Sequence, residues 1–370
     1  MSSLKNISAA ALLLGILLAP VTGVSAGLYG FDHANPYTPE EKILQMDYLP
    51  DSIRNYRAEM RDNLLMLIDY ARRHNPHFQV LSHEGQPLLY KSRWEYELEG
   101  YNRVRENKQG ASDPVFLFNR DLGNLEPTPG SPEDRYLHAV NAVVLNNYYC
   151  GNGTEEDITI NHGLGHLSIE QCADDADLDK AVVRSLLDQK AVYVFTDRSK
   201  AFSDLSGQPL INDSARNIEK AGDAKNIAFL LDDRGYTSAE ALISDVSRSN
   251  YDIIVINPLF RGRIPFTSSD VRRMQFKKNG GKRLLIAALN VSEASPDDYF
   301  WKERWQKGNP AWLTRESFVT PNAFITRYWS EEWRQILSRH FKDIVASGYD
   351  GAFFTGLENH RYFEHLTPLE

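Results

Sequence analysis

The sequence predicts an α/β protein folded as a (β/α)8 TIM barrel. Short apolar runs of ~4–6 residues recur along the chain, mostly bounded by polar or glycine-containing turns, as is typical of buried parallel strands. Helical patterns lie between several of these runs, and this alternation favours a barrel. The eight runs are 78–81, 142–145, 191–195, 227–231, 253–256, 284–289, 323–325 and 352–354.

The helical patterns are clearest at 51–74, 176–189, 238–249 and 331–347. In the first, apolar residues recur at helical spacing along one face, which predicts a helix packed on the sheet. A doubly wound open sheet is the alternative that this pattern allows. No glycine-rich phosphate-binding loop supports it, so the barrel is the preferred prediction.

The 370-residue chain is long enough for one large domain. We therefore expect a single barrel over residues 27–370. Residues 90–135 are polar and aromatic and are interpreted as an insertion between the first two strands.

The first 26 residues resemble a secretory signal. Lys5 supplies the positive charge, residues 9–19 the apolar stretch, and Val24-Ser25-Ala26 a small-residue cleavage site. The apolar stretch is shorter than the ~20 residues that cross a bilayer. We expect a secreted or periplasmic protein with no membrane span after cleavage, although retention as an uncleaved anchor stays open.

The charge of the chain argues against one class of partner, and its two cysteines predict a disulfide. The net charge is −9 and no long basic run appears, which argues against nucleic acid as a partner. In an exported chain, Cys150 and Cys172 are expected to form a disulfide, with two free thiols as the alternative.

His162 and His166 are interpreted as a loop pair, because two glycines separate them and no third zinc ligand is evident. We expect neither a metal nor a cofactor.

The last third of the chain carries the most specific motifs. Residues 280–305 read GGKRLLIAALNVSEASPDDYFWKERW, and residues 350–355 read DGAFFT. These segments resemble the GEAE and DGVYLD motifs of glycoside hydrolase family 114, the endo-α-1,4-polygalactosaminidases. Residues 55–61 are similar to the family's DYRxxMR segment. The resemblance implies a barrel that acts on or binds a polysaccharide or oligosaccharide, such as one containing amino sugars.

Five positions depart from the family pattern in the same direction. Where the family has Asp or Glu, this chain has Asn141, Asn146, Asn257, Ser330 and Thr355. Amide and hydroxyl side chains can bind a sugar, but they cannot serve as carboxylate nucleophiles or as acids and bases near neutral pH. The resemblance therefore implies a glycosidase-like protein whose catalysis is reduced or lost.

Two carboxylates match the family at strand ends, Glu293 and Asp197. Hydrolysis usually needs a pair of carboxyl groups across the scissile bond, so an active endo-glycosidase that uses these two residues is the alternative. The ends of barrel strands form one face, where we expect the substrate to bind. The predicted substrate-binding residues are Asn141, Asn146, Asn257, Tyr299, Arg327, Tyr328, Thr355 and Glu358.

Overall fold

The computed structural model describes residues 53–106, 127–151, 163–196, 202–203, 205 and 210–366. The predicted signal segment therefore lies outside the described residues, as do residues 107–126 of the predicted insertion. Within the described residues, the α-helices are α1 (Tyr56–His74), α2 (Arg93–Glu106), α3 (Pro132–Ala139), α4 (Asp175–Leu187), α5 (Ala239–Ser247), α6 (Ser268–Met274), α7 (Glu331–Ser347) and α8 (His360–His365). The strands are β1 (Gln79–His83), β2 (Ala142–Asn146), β3 (Gly165–Gln171), β4 (Ala191–Phe195), β5 (Ile227–Leu230), β6 (Ile253–Ile256), β7 (Leu259–Phe260), β8 (Ile264–Pro265), β9 (Leu284–Asn290), β10 (Glu293–Ala294), β11 (Leu313–Glu316), β12 (Phe324–Thr326) and β13 (Gly351–Thr355).

Eight parallel strands form a nearly closed barrel. Their order is β4-β3-β2-β1-β13-β9-β6-β5, and every hydrogen-bonded neighbour in this order runs parallel. At the gap between the two end strands, the rings of Tyr193 on β4 and Phe229 on β5 lie 5.4 Å apart. The predicted TIM barrel is thus confirmed, and the open doubly wound sheet is excluded.

The barrel interior is a packed apolar core. Inward-facing side chains from successive strands form one cluster that includes Leu81, Val144 and Val255. Phe353 on β13 meets Phe229 across the interior, with ring centroids 5.4 Å apart. Because alternate residues of a strand face opposite sides, the residues between these positions pack outward against the helices. The interior is therefore filled, and ligand access is limited to the ends.

One of the predicted strands is not part of the barrel. Residues 323–325 fall in and beside β12, which pairs antiparallel with β10 and β11 in a small separate sheet. Its place in the barrel is taken by β3, which includes His166, so the interpretation of His166 as a loop residue is wrong. The sequence of β3, GHLSIEQ, alternates apolar and polar residues, and the polar Glu170 is buried. Its carboxylate accepts hydrogen bonds from the backbone N–H groups of Tyr149 and Cys150.

The helix α1 ties distant parts of the chain together. Asn55 caps its first turn by accepting a hydrogen bond from the N–H of Ala58. Arg57 forms a two-pronged pair with the buried Glu364 of α8, at 2.8 and 3.1 Å. Arg61 forms a second pair with Glu95 of α2, at 2.6 and 3.1 Å. The arginines of the family-like segment 55–61 are thus engaged in structural ion pairs.

Cys150 and Cys172 form a disulfide, with Cα atoms 5.2 Å apart. It joins the turn after β2 to the residue that follows β3. None of the helices in the described part of the chain combines the length and the apolar character that a bilayer crossing requires.

Candidate functional site

The carboxyl ends of the barrel strands, called the mouth below, carry a row of polar side chains. His83 ends β1, Asn146 ends β2, Asn290 ends β9 and Thr355 ends β13, while Asn257 directly follows β6. The backbone pairs Thr355 with Asn290. The nitrogen Nε2 of His83 lies 3.1 Å from Oδ1 of Asn146. These residues therefore form a band of amide, imidazole and hydroxyl groups across neighbouring strands.

Glu293 is held at this mouth by four side-chain donors. Its Oε1 accepts hydrogen bonds from Ser317 Oγ at 2.6 Å and from Asn359 Nδ2 at 3.2 Å. Its Oε2 accepts from Thr320 Oγ1 at 2.7 Å and from Asn290 Nδ2 at 2.9 Å. An ionised carboxylate offers about four acceptor positions, so these donors fill its capacity. The side chain is also 7% exposed, which leaves it little contact with solvent.

The turn after β13 adopts a shape that only glycine allows. Gly356 has a φ of +77°, and an added Cβ would lie 2.4 Å from Asn290 Oδ1 and 2.7 Å from Ser292 Oγ. Its carbonyl accepts a hydrogen bond of 2.6 Å from Ser292 Oγ. Because Asn290 also donates to Glu293, a side chain at position 356 would displace a residue that binds the Glu293 carboxylate.

A cleft opens beside Glu293, between the ends of β6 and β9, the loop 295–300 and helix α7. It holds about 130 Å³. Asn257, Glu293 and Tyr299, three of the predicted site residues, line it together. The Tyr299 side chain is 41% exposed, and its ring lies 5.3 Å from that of His340. An exposed aromatic face beside polar groups is suited to packing against the apolar face of a sugar ring.

Two titratable groups in the cleft are shifted by burial. Burial, with the nearby charges of Asp297 and Glu293 acting in the same direction, raises the pKa of Asp298 to about 7. Burial lowers the pKa of His340 to about 4, against an opposing effect of Asp343. The cleft therefore holds a neutral imidazole and a carboxyl that changes charge near neutral pH. Across the described residues, no group of three or more His, Cys, Asp and Glu side chains is arranged to hold a metal ion.

Asn146, Thr355 and Glu358 lie at the mouth, but the structure does not place them in the lining of the cleft. Thr355 is fully buried, and its Oγ1 has no hydrogen-bond partner among the described residues. Glu358 is 8% exposed and follows β13 in a short 3-10 helix, Leu357–Asn359. The predicted site residues thus separate into a cleft group and a second group above β1 and β13.

Three residues predicted at the mouth lie elsewhere or are inaccessible. Asn141 precedes β2 and accepts a hydrogen bond from the N–H of Val80, so it lies at the opposite, amino-terminal end of the barrel. Tyr328 is fully buried and donates its hydroxyl hydrogen bond to the carbonyl of Tyr56. Arg327 is exposed but follows β12, which is outside the barrel. These placements were wrong because residues 323–325 were assigned to a barrel strand and because Asn141, which precedes the run 142–145, was expected at the face formed by the carboxyl ends of the strands. Asp197 lies outside the described residues.

Sequence analysis also missed residues that build the site. Asn290 directly follows the apolar run 284–289 and could have been recognised as the first polar residue after a predicted strand. Glu84 follows β1, and its Oε1 accepts a hydrogen bond of 2.7 Å from the N–H of Asn146. Ser317 and Thr320 lie in a loop far along the chain from Glu293, and no pattern in the sequence indicates their contact with it.

Comparisons with known proteins identify relatives that are themselves uncharacterised, so they indicate no function for this chain. No family model matches the chain. An uncharacterised protein of Methanocaldococcus jannaschii is 25% identical over 169 residues, which is 46% of this chain and 47% of that protein. An uncharacterised protein of Thermotoga maritima is 26% identical over 78 residues, which is 21% of this chain and 24% of that protein. The matched regions thus span less than half the length of either relative.

The geometry at Gly356 predicts an unusually large effect of a single methyl group. We expect Gly356→Ala to lower the free energy of unfolding by about 2–4 kcal/mol, because left-handed strain adds to a clash with Asn290 and Ser292. Gly348→Ala is the matched control, since Gly348 has a φ of +87° but no neighbour within 4 Å of an added Cβ. It should lose only the strain of about 1–2 kcal/mol. Equal losses in denaturant unfolding would contradict the proposed close approach.

The four donors on Glu293 predict that its amide analogue is destabilising. In Glu293→Gln, the side-chain NH₂ replaces one oxygen and faces the two side chains that donated hydrogen bonds to it. These two buried donors then lose their acceptor. We expect a loss of about 2–3 kcal/mol in the free energy of unfolding. Glu316→Gln, at an exposed position, should change it by no more than about 0.5 kcal/mol. A Glu293→Gln variant as stable as this control would show that the four contacts are not a structural anchor.

Proposed function

We propose that this protein is exported and binds a polysaccharide segment at the barrel mouth, with hydrolysis reduced or absent. The observation that carries the proposal is the state of Glu293, whose acceptor positions are filled by protein donors. A carboxylate in this arrangement has no free lone pair aimed at a sugar. It supports the shape of the site without taking part in bond cleavage.

The side chains around Glu293 support binding. Asn257 and Tyr299 line the cleft with it, and amides can donate hydrogen bonds to and accept them from sugar hydroxyls. The exposed ring of Tyr299 adds a surface for stacking. The resemblance to the endo-α-1,4-polygalactosaminidases favours a polysaccharide that contains amino sugars, and the signal-like residues 1–26 favour a secreted or periplasmic location.

The second candidate function is hydrolysis by Glu293 and Asp197, as in an active endo-glycosidase. It is favoured by the position of Glu293 at the wall of the cleft, just beyond the end of a barrel strand. The two functions differ in one measurable product, because only hydrolysis releases new reducing ends.

Isothermal titration calorimetry with oligomers of α-1,4-linked galactosamine and N-acetylgalactosamine tests the binding proposal. We expect the unmodified protein to bind at least one of them and Tyr299→Ala to weaken binding about tenfold, or about 1.4 kcal/mol, through loss of stacking. Phe276→Ala is the matched control, because Phe276 is similarly exposed, at 49%, and precedes β9 at the opposite end of the barrel.

A reducing-end assay on the same oligomers separates the two candidates. Release near background, together with binding, supports the proposed function. Robust release that Glu293→Asp or Asp197→Asn abolishes while the fold is retained would instead establish the hydrolase. Equal binding by Tyr299→Ala and the unmodified protein would show that the cleft is not the site.

A further inference from the structure

Glu358 is a buried acid that the proposed binding at the cleft does not use. It lies in the 3-10 helix Leu357–Asn359, which begins directly after the turn at Gly356. Its side chain is more than nine-tenths buried, and Oε2 has no hydrogen-bond partner among the described residues. The next residue, Asn359, donates hydrogen bonds to Ser292 and Glu293, so this helix is fixed against the mouth.

The surroundings of Glu358 disfavour its ionised form. Burial has the largest effect and raises the pKa of Glu358 to about 7. The charges of Glu293 on β10 and of Glu84 after β1 act in the same direction, whereas the backbone N–H of Glu358 and the charge of Arg361 on α8 oppose them. Burial also raises the pKa of Glu84, although this residue accepts a hydrogen bond from the N–H of Asn146. Two carboxyl groups from two different elements thus act on Glu358, and its own N–H and one arginine only partly compensate for burial.

A second buried polar atom without a partner lies three residues before Glu358. Thr355 Oγ1 is buried at the end of β13 and accepts or donates no hydrogen bond within the described part of the chain. Leaving a buried polar atom unpaired costs about 1–3 kcal/mol, so such atoms usually have a ligand or an ordered water as partner. Two of them on one strand-to-helix turn indicate a place where a polar ligand completes the hydrogen bonding.

We propose that Glu358 is a neutral carboxylic acid that donates a hydrogen bond from Oε2 to an uncharged oxygen of the bound sugar. This inference rests on the proposed function and adds a specific donor at the barrel mouth, outside the lining of the cleft. A protonated carboxyl has one O–H donor, whereas the oxygens of Glu293 already accept from four protein donors. The sugar oxygen is a hydroxyl, ring, glycosidic or acetamide oxygen, since these are the uncharged acceptors of an amino-sugar oligomer. Ionisation of Glu358 removes the donor and places a third negative charge in the mouth.

The direction of the pH dependence follows from the raised pKa. The folded protein holds this proton up to about pH 7, whereas an unfolded glutamate releases it near pH 4.5. The stabilising contribution is therefore complete below pH 4.5 and is lost as the pH rises through 7. Binding of an uncharged sugar should weaken over the upper part of the same window, as the donor is lost.

A carboxyl titration by ¹³C NMR on the ligand-free protein tests the protonation state alone. We expect one glutamate carboxyl to titrate near pH 7 in the unmodified protein and to be absent in Glu358→Gln. Asp298→Asn should retain this signal, which separates Glu358 from Asp298, whose pKa burial also raises to about 7. Glu84→Gln should lower the midpoint, because one neighbouring negative charge is removed. Titration of every glutamate in the ordinary range would overturn the inference.

Calorimetry with an uncharged N-acetylgalactosamine oligomer at pH 6 and pH 8 tests the donor role. We expect the affinity to be about tenfold lower at pH 8 than at pH 6, because the protonated fraction of a group with a pKa of 7 falls by about the same factor. In Glu358→Gln the amide remains a donor at both pH values, so this tenfold fall should disappear. Asp298→Asn removes a cleft carboxyl whose pKa is also about 7, and it should keep the tenfold fall whatever its effect on the affinity itself. His83 does not contribute, because burial lowers its pKa to about 4 and it stays neutral throughout.

The outcomes distinguish this inference from the proposed function. Binding with equal affinity at pH 6 and pH 8 would overturn the donor role of Glu358 and leave sugar binding established. Absence of binding at both values would overturn the proposed function, and the donor role with it, even where the titration near pH 7 is observed.

Discussion

The carboxylate of Glu293 is the point at which three separate segments of the mouth are joined. Asn290 reaches it from the end of β9, Ser317 and Thr320 from the loop between β11 and β12, and Asn359 from the helix after β13. Hydrogen bonds to a charged group are stronger than those between neutral groups, so this hub restrains all three segments together. The shape of the cleft depends on it.

The donors on Glu293 are the reason that we propose binding rather than hydrolysis at this mouth. Hydrolysis needs one carboxyl that attacks or activates water and one that delivers a proton. In this mouth the first role is obstructed by the donors on Glu293, whereas a proton is held at Glu358, whose pKa burial raises. The arrangement offers amide and acid hydrogen bonds to a sugar more readily than it offers a nucleophile.

The barrel was predictable from sequence because its strands are short apolar runs separated by helices. Seven of the eight runs correspond to barrel strands, while β3 was missed because His166, Ser168 and Glu170 interrupt its apolar pattern. Oε2 of the buried Glu170 accepts two hydrogen bonds from backbone N–H groups, a contact that only the folded chain provides. For the same reason, the sequence indicated Glu293 at a strand end but not the loop hydroxyls that occupy its oxygens. Tyr328 was predicted to bind the substrate but is buried, because an aromatic residue near a motif can equally pack in the core.

A crystal structure of the protein with a bound amino-sugar oligomer tests the central claim most directly. The account predicts a sugar ring against Tyr299 and Asn257, an oxygen of the sugar within hydrogen-bond distance of Glu358 Oε2, and a Glu293 carboxylate that keeps its four protein donors. A sugar bound elsewhere on the molecule, or a Glu293 that leaves these donors and points at the anomeric carbon, would contradict it.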